Sequence, residues 1–334
     1  MARRIRMTKR WRQALEAPLT RLGLAVVPRL PRRGVLALAR FMGSAAYWFS
    51  PRARRLGLEN LNLAFGDAKT PAEKRRILRR SLQNFSLVML DLLWFTRDSV
   101  SRMERWFEAS PGLAAAMAQR KSRVGVTGHF GNWELMGRYW ALKSGGLMAV
   151  AMPLKNPAVD ALLQRARENN GQQIVAREGA LKKLVRYLRG NGTVGLLLDQ
   201  NTAPEEGGIF VDFFGRPVAV SPAAGILAPM TGAEILFGYA LPGPDGTYRG
   251  EMPHVIASEE VASLDRATAA LELTRRITGF YEEAIRARPD GWLWSYKRWR
   301  YIPAGMPSDG FPFYARPVQG SAPVPPTQPS SPEP

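Results

Sequence analysis

The chain has 334 residues, and its 47 lysines and arginines against 28 aspartates and glutamates give it a formal net charge of +19. This excess indicates an anionic partner: nucleic acid, an acidic membrane surface or an acidic carrier protein. The absence of cysteine excludes a scaffold held by disulfide bonds, and the length allows one large domain or two small ones.

The first 55 residues combine basic and apolar segments. A start rich in arginine and lysine is followed by the apolar run 34–49, in which Arg40 is the one charged residue. The run is a little short for a transmembrane helix, which needs about 20 apolar residues. We expect it to lie in the membrane interface or enter the bilayer, with flanking arginines at the lipid phosphates. The flanking positive charge favours the cytoplasmic face, and an ordinary buried helix with a basic rim is the alternative.

A long helix is predicted from residue 71 to about residue 95. Thr70 can cap it, Pro71 suits its first turn, and Glu73 can complete a capping box. Its first half carries a row of arginines and its second half is apolar. This change fits a helix that reaches the edge of a membrane, and a half-buried helix explains it nearly as well.

From residue 123 the sequence alternates between strand-like and helix-like segments. The pattern predicts strands at 124–127, 147–152, 174–176 and 194–198, and helices at 132–143, 157–168 and 179–188. Such alternation favours an α/β fold with a mixed, largely parallel central sheet flanked by helices. Ligands gather at the carboxyl ends of strands in such sheets. We therefore expect His129, Arg177 and the pair Asp199 and Gln200, which follow predicted strands, to face one cleft.

The remaining chain continues this pattern and then changes composition. It predicts a loop with paired aromatics at 210–215, helices at 221–231 and 264–287, and strands at 235–241 and 248–256. A tail from residue 303, rich in proline, serine and glycine, is predicted to be disordered. The predicted organisation is thus a membrane-associating segment (1–55), an α/β domain (56–302) and this tail (303–334).

The six residues from His129 to Glu134 (His-Phe-Gly-Asn-Trp-Glu) lie at a predicted strand-to-helix corner. An imidazole with a pKa near its usual value of about 6.5 can take a proton from a hydroxyl group at neutral pH. Glu134 can hold the other ring nitrogen and stabilise the cation that forms. From this spacing alone, a hydrogen-bonded structural histidine is the alternative. His254 is far away and no zinc-binding pattern occurs, so we expect no metal and no other cofactor.

An ordered set of motifs from about residue 34 to residue 302 resembles the bacterial lipid A biosynthesis acyltransferases, which belong to the lysophospholipid acyltransferase superfamily. Besides the histidine segment, the motifs lie at 60–65, 156–157, 177–180, 199–201, 213–215, 231–233, 292–294 and 297–299. The resemblance implies a glycerolipid acyltransferase-like fold with membrane-associated N-terminal helices. It also implies transfer of an acyl chain from a thioester, usually on acyl carrier protein, to a hydroxyl of a lipid acceptor.

The resemblance implies roles for individual residues. His129 is the general base, Glu134 orients and charge-stabilises it, and no covalent acyl-enzyme is required. Asn132 and backbone N–H groups at the next helix start are candidates for holding the oxyanion. The further candidates for substrate binding are Lys155, Arg165, Arg177, Asp199 and Gln200. Many family members carry an arginine where this chain has Met152, so an anionic head group would be held by other residues here.

The expected partners are acyl carrier protein or acyl-CoA as donor, an anionic lipid acceptor such as a lipid A precursor, and the cytoplasmic face of the inner membrane. Acylation of a lysophospholipid or another glycolipid from acyl-CoA stays open because of Met152. A basic nucleic-acid-binding protein is the alternative from another class. No nucleic-acid-binding motif occurs and the charge flanks apolar segments, so we expect no nucleic acid partner.

Overall fold

The computed structural model of the chain describes residues 18, 20–151, 156–168, 171–176 and 179–318. In chain order the strands are β1 (Phe107–Ala109), β2 (Arg123–Thr127), β3 (Leu147–Ala151), β4 (Gln172–Ala176), β5 (Thr193–Leu197), β6 (Ile209–Phe213), β7 (Arg216–Val220), β8 (Glu234–Pro242), β9 (Tyr248–Ile256), β10 (Tyr301–Ile302) and β11 (Arg316–Pro317). Seven of them form one sheet in the spatial order β1-β9-β8-β2-β5-β3-β4. Its neighbouring strands are parallel except β8 and β9, so the predicted mixed, largely parallel sheet is confirmed.

Helices cover both faces of this sheet. They are α1 (Arg32–Phe49), α2 (Pro51–Phe65), α3 (Pro71–Trp94), α4 (Ser99–Trp106), α5 (Pro111–Ala118), α6 (Trp133–Ser144), α7 (Pro157–Glu168), α8 (Ala180–Arg189), α9 (Ala223–Thr231), α10 (Ser258–Ser263) and α11 (Ala269–Ala287). Successive residues of a strand point to opposite faces. Ile235 accordingly belongs to the apolar core under α8, α9 and α11, whereas its neighbour Leu236 belongs to the core under α5 and α6.

Most predicted elements are confirmed to within a few residues. The capping box at Thr70 and Glu73 is formed, with the Glu73 N–H donating to the Thr70 hydroxyl and the Thr70 N–H donating to the Glu73 carboxylate. The exception is the helix predicted at 264–287, which begins five residues later than predicted. There the Asp265 side chain and carbonyl accept hydrogen bonds from the following residues in a turn, and α11 begins at Ala269.

The paired aromatics Phe213 and Phe214 lie in a hairpin and not in the predicted loop. Phe213 ends β6, and Phe214 and Gly215 form the two-residue connection to β7, both with positive φ (+53° and +71°). Positive φ at both central residues is the geometry that matches the twist of a hairpin, but it is unfavourable for a large side chain. Packing supports Phe214 here, because its ring is buried against Phe65 and its N–H donates to Glu282.

Residues 303–318, predicted as the start of a disordered tail, pack against the domain instead. The buried hydroxyl of Tyr314 donates a hydrogen bond to Asn60, and β11 pairs with β10. An aromatic anchor and a short strand thus hold a segment whose composition is typical of disorder. Residues after 318 lie outside the described part of the chain.

The predicted apolar run 34–49 forms α1, which packs along α3 in antiparallel orientation. Gly43 allows this close approach, since a Cβ there would lie 2.3 Å from the backbone of Gln83. Within the described ranges, no helix has both the length and the apolar character needed to cross a membrane. The prediction that the N-terminal helices associate with a membrane is therefore not tested by the fold itself.

A buried ion pair joins the start of α1 to α3. The Arg32 guanidinium donates to both carboxylate oxygens of Asp91 and to the Gly246 carbonyl, while Asp91 also accepts from the Tyr248 hydroxyl (2.6 Å) and the Asn132 amide (3.3 Å). Both charged side chains are buried. The pair therefore ties the N-terminal helix to β9 and to the segment that precedes α6.

This network predicts the effect of Arg32→Met on stability. The substitution leaves the Asp91 carboxylate buried without its cation, which should lower the free energy of unfolding by about 3–5 kcal/mol. Chemical denaturation in detergent measures it, with the exposed neighbour Arg33→Met expected to change it by less than about 0.5 kcal/mol. Equal effects of the two variants would show that the buried pair does not hold α1 in place.

Candidate active site

His129 and Asp199 meet at the carboxyl-terminal edge of the sheet. His129 follows β2 and Asp199 follows β5, and these are neighbouring parallel strands. The Nδ1 atom of His129 lies 2.9 Å from one carboxylate oxygen of Asp199, and the His129 backbone N–H donates to the other at 2.9 Å. The His129 side chain is 20% exposed and that of Asp199 only 4%. A buried carboxylate thus holds a partly accessible imidazole.

The Asp199 carboxylate is stabilised in its charged form. Burial alone would raise its pKa, but the charge and hydrogen bond of His129, the Trp292 indole N–H at 2.9 Å and the charge of Arg298 bring the pKa below its usual value. For His129, burial alone would lower the pKa, whereas the charge and hydrogen bond of Asp199 raise it above its usual value. The pair is therefore set to stabilise a protonated imidazole.

Two glycines allow the chain to approach itself closely at this corner. Gly131 has φ +62°, and a Cβ there would lie 2.1 Å from the Ala240 carbonyl oxygen. A Cβ at Gly128 would lie 2.8 Å from the Asp199 carboxylate carbon. Both positions require glycine, because a side chain would push His129 away from β8 or from its carboxylate.

A segment close to the C-terminus lies alongside the histidine corner. Phe130 forms a bridge with Trp292, and the Leu293 N–H donates to the His129 carbonyl at 3.1 Å. Side chains of α2 and α3 hold this segment in turn, by hydrogen bonds from Asn60 to the Trp294 carbonyl and from Ser81 to the Trp292 carbonyl. The motif at residues 60–65 therefore helps to position the motif at residues 292–294.

Two side chains flank the imidazole ring. The Gln200 amide nitrogen lies 3.4 Å from Nδ1 and 3.3 Å from Nε2. The Trp133 ring centroid is 4.7 Å from that of His129. With Nδ1 held by Asp199, Nε2 is the ring nitrogen that can take a proton from a hydroxyl group.

Glu134 does not hold the imidazole. Its carboxylate forms a two-point ion pair with Arg167 of α7, at 2.6 and 3.0 Å, while Asp199 occupies the ring nitrogen that the sequence assigns to Glu134. The physical reason is that Glu134 lies in the first turn of α6 and its side chain reaches α7. Glu134 acts on His129 only through its charge, which helps to raise the pKa of His129. A catalytic contribution of Glu134 stays a prediction, in this indirect form.

The other predicted site residues have different positions. Asn132 is buried as the cap of α6, where its side-chain oxygen accepts from Leu135 N–H and its amide donates to Asp91. Arg165 is exposed on α7. Lys155 and Arg177 lie outside the described residues, as does Met152.

Sequence reasoning missed the roles of Trp292 and Arg167. Trp292 is 93 positions from Asp199 and Arg167 is 33 positions from Glu134, so no local spacing connects them. The sequence shows Asp199 as an acid at a strand end, but its contact with His129 depends on the order of strands. The aromatic and basic composition of residues 291–300 was the available signal for Trp292.

A cleft of about 850 Å³ lies at the opposite, amino-terminal edge of the sheet. It is lined by the first residues of β2, β4 and β5 and by basic side chains such as Lys183 and Arg186. Neither His129 nor Asp199 lines it. The chemistry of the histidine pair, rather than the size of a cavity, therefore identifies the candidate active site.

The arrangement can perform general base catalysis on a hydroxyl group. In such a reaction Nε2 of His129 would accept the proton, and the Asp199 carboxylate would fix the tautomer and stabilise the resulting cation. In the described ranges, no group of three or more histidine, aspartate or glutamate residues is placed to hold a metal ion.

Comparisons with known proteins point to one family. The sequence profile of the family described as bacterial lipid A biosynthesis acyltransferase matches residues 2–301. The lipid A biosynthesis lauroyltransferase of Escherichia coli (strain K12) is 25% identical over 298 residues, 87% of this chain and 94% of that protein. The palmitoleoyltransferase of the same organism is 26% identical with the same coverage. A phosphatidylinositol mannoside acyltransferase of Mycobacterium tuberculosis (strain CDC 1551 / Oshkosh) is 28% identical over 144 residues, 42% of this chain and 45% of that protein.

The two acids near His129 are expected to differ in their effect on turnover. Asp199→Asn removes the charge and favours the wrong tautomer, and should lower kcat by about 10²–10⁴-fold. Glu134→Gln, which acts on the ring only at a distance, should lower kcat by about tenfold or less. Steady-state release of thiol from an acyl-thioester in the presence of acceptor measures both. Equal losses of kcat would indicate that Glu134 acts directly on His129, as its spacing in the sequence predicts.

Proposed function

The chain belongs to the bacterial lipid A biosynthesis acyltransferase family and is therefore an acyltransferase, and we propose that it moves a fatty acyl chain from acyl carrier protein to a hydroxyl group of a lipid A precursor at the cytoplasmic face of the inner membrane. The observation that carries the proposal is the buried Asp199 carboxylate on Nδ1 of the accessible His129. It leaves Nε2 as a base for the acceptor hydroxyl.

The proposed reaction has two steps and no acyl-enzyme. His129 takes the proton of the acceptor hydroxyl while the oxygen attacks the thioester carbonyl carbon and forms a tetrahedral oxyanion. The oxyanion then collapses, the C–S bond breaks, and the imidazolium returns its proton to the leaving thiolate. Asp199 stabilises the imidazolium between the two steps, so one proton moves from hydroxyl to thiol and the ester is formed.

The start of α6 supplies donors for the oxyanion. The N–H groups of Gly131 and Asn132 donate to the carbonyls of Gly291 and Ala240, at 2.9 and 2.7 Å. The N–H groups of Trp133 and Glu134 have no hydrogen-bond partner among the described residues. Since they lie at a helix N-terminus directly after the histidine corner, these two amides are the proposed oxyanion donors.

The net charge of +19 suits two anionic substrates, because acyl carrier protein is acidic and a lipid A precursor carries phosphate groups. A glycolipid of another kind is the second candidate acceptor. The partial similarity to a protein named as a phosphatidylinositol mannoside acyltransferase favours it over a lysophospholipid. Arg165 and Arg177 remain candidates for contact with the acceptor phosphates.

The proposed membrane surface consists of exposed aromatic side chains on α1 and arginines on α3. Phe41, Trp48 and Phe49 are 71%, 63% and 86% exposed. Because α1 and α3 are antiparallel, the last two lie beside the first half of α3, where four arginines are exposed and pair with no carboxylate among the described residues: Arg75, Arg76, Arg79 and Arg80. Aromatic rings with flanking arginines favour an interfacial position on an anionic membrane.

The proposed reaction predicts that transfer depends on His129 and on the donor. Purified chain, acyl carrier protein thioester and a phosphorylated lipid A precursor should give acylated precursor, detected by mass spectrometry. His129→Ala should lower the rate by about 10²–10⁴-fold with the fold intact. Rising salt should lower kcat/KM for the carrier-protein donor more than for a neutral thioester, because salt screens exposed charges. Near-normal turnover of His129→Ala would contradict the mechanism.

The proposed membrane surface predicts that Trp48→Ser and Phe49→Ser each weaken binding to vesicles of anionic lipid. Burial of an aromatic side chain contributes about 1.5–3 kcal/mol, so each loss should weaken binding by about tenfold or more. Flotation measures binding, and brominated acyl chains should quench the fluorescence of Trp48. Ile226→Ser, exposed on α9, is the control and should bind like the unchanged chain. Equal binding of all variants would place the membrane surface elsewhere.

A further inference from the structure

A buried tyrosine of α11 reaches the sheet next to the histidine corner. Tyr281 is 2% exposed, and its ring lies against the ring of Phe237 in β8, with the two centroids 5.0 Å apart. A Cβ at Gly128 would lie 2.8 Å from the Tyr281 ring. The glycine that makes room for the Asp199 carboxylate therefore makes room for this ring as well.

The Tyr281 hydroxyl joins the ends of two neighbouring strands. It donates to the carbonyl of Thr127, the last residue of β2, and accepts from the N–H of Leu198, which directly follows β5, at 3.3 Å. The Leu198 N–H also donates to the Thr127 carbonyl at 3.2 Å. The hydroxyl thus contacts both the donor and the acceptor of a backbone hydrogen bond that joins β2 to β5 at this end.

One step further along both strands, side-chain contacts replace backbone pairing. Asp199 directly follows Leu198, and His129 is two residues after Thr127. The Asp199 carboxylate there accepts from the His129 backbone N–H at 2.9 Å and lies 2.9 Å from Nδ1 of the ring. With one or two residues between the contacts, a change in the separation of the strand ends must alter the distance between carboxylate and ring.

The Tyr281 hydroxyl acts on this pair without carrying a charge. Burial raises its pKa well above the usual value, so it is neutral near pH 7. The charged groups that face His129 are Asp199, after β5, and Glu134 of α6, which is paired with Arg167. Loss of the hydroxyl changes none of these charges, so its effect on the imidazole has to come through position.

We propose that Tyr281 is a positioning residue for the His129–Asp199 pair: its hydroxyl holds the ends of β2 and β5 at the separation that keeps the carboxylate on Nδ1 of the ring. Among the described residues, the hydroxyl has no hydrogen bond to the imidazole, and it takes no part in proton transfer. The inference rests on the proposed function only where turnover is used as the readout.

Tyr281→Phe keeps the ring and removes the hydroxyl. Weaker contact between Asp199 and Nδ1 withdraws the interaction that raises the pKa of His129, so this pKa should fall by about 0.5–1 unit. The low-pH limb of kcat/KM should move to lower pH by the same amount. The neutral ring should become a mixture of tautomers, since the carboxylate no longer selects Nδ1–H. We expect kcat to fall about tenfold with KM nearly unchanged.

NMR of ¹⁵N-labelled histidine in the full chain measures the tautomer and the pKa together. The chain has two histidines, and His254→Gln assigns the signals. Thr278→Val is the matched control, because Thr278 is also buried on α11 and its hydroxyl donates within the helix, to the Thr274 carbonyl at 2.8 Å. It should leave the tautomer, the pKa of His129 and kcat unchanged.

An unchanged tautomer and pKa in Tyr281→Phe would overturn the proposal even if stability or kcat fell, because the hydroxyl would then have a structural role alone. The same changes in Thr278→Val would also overturn it, since a general loosening of α11 would explain them. So would a Tyr281→Phe chain that does not fold, because the hydroxyl would then serve the whole domain. The NMR measurement needs no substrate, so an absence of acyl transfer would count against the proposed function and leave this result standing.

Discussion

The buried Asp199 carboxylate is the interaction on which the active-site end of the molecule depends. It accepts hydrogen bonds from the His129 backbone, the His129 ring and the Trp292 indole, so two segments far apart in sequence converge on the charged group of a third. Position 128 requires glycine because a Cβ there would overlap the Asp199 carboxylate. A carboxylate this deeply buried is stable only when its charge is compensated. The same groups that compensate it therefore fix the position of the His129 imidazole.

Two ion pairs lie beside α6, the helix that follows His129. Glu134 pairs with Arg167 on one side, and Asp91 pairs with Arg32 on the other. Arg138 is buried on α6, and the charges of both Glu134 and Asp91 stabilise its charged form. Its guanidinium also donates a hydrogen bond to the Leu92 carbonyl at 3.1 Å. The helix that follows His129 is thus fixed by an ion pair with α7 and a hydrogen bond to the backbone of α3 in addition to its apolar packing. Such contacts specify direction, which apolar packing does less well.

Rules that act over a few residues predict the helices and strands of this chain, but they do not predict which side chain contacts His129. The capping box at Thr70 and the alternation after residue 123 act over a few residues, and both were predictable from sequence. Spacing predicts Glu134 as the partner of His129 because it is five positions away, whereas Asp199 is 70 positions away and meets His129 only through the strand order. Likewise, composition indicates disorder from residue 303, but the buried Tyr314 and the pairing of β11 with β10 hold residues 303–318.

The ion pair at the start of α1 also constrains how the chain is assembled. Asp91 lies 59 positions after Arg32, whereas Gly246, which accepts from the same guanidinium, lies 214 positions after it. At ordinary rates of protein synthesis this second partner emerges about 10–40 s after Arg32 and about 8–30 s after Asp91. During that interval α1 and α3 can pair, but the strand that completes their network does not yet exist. The exposed aromatics of α1 then face water or membrane on an unfinished domain, and a membrane that covers them early would keep the nascent chain from aggregating.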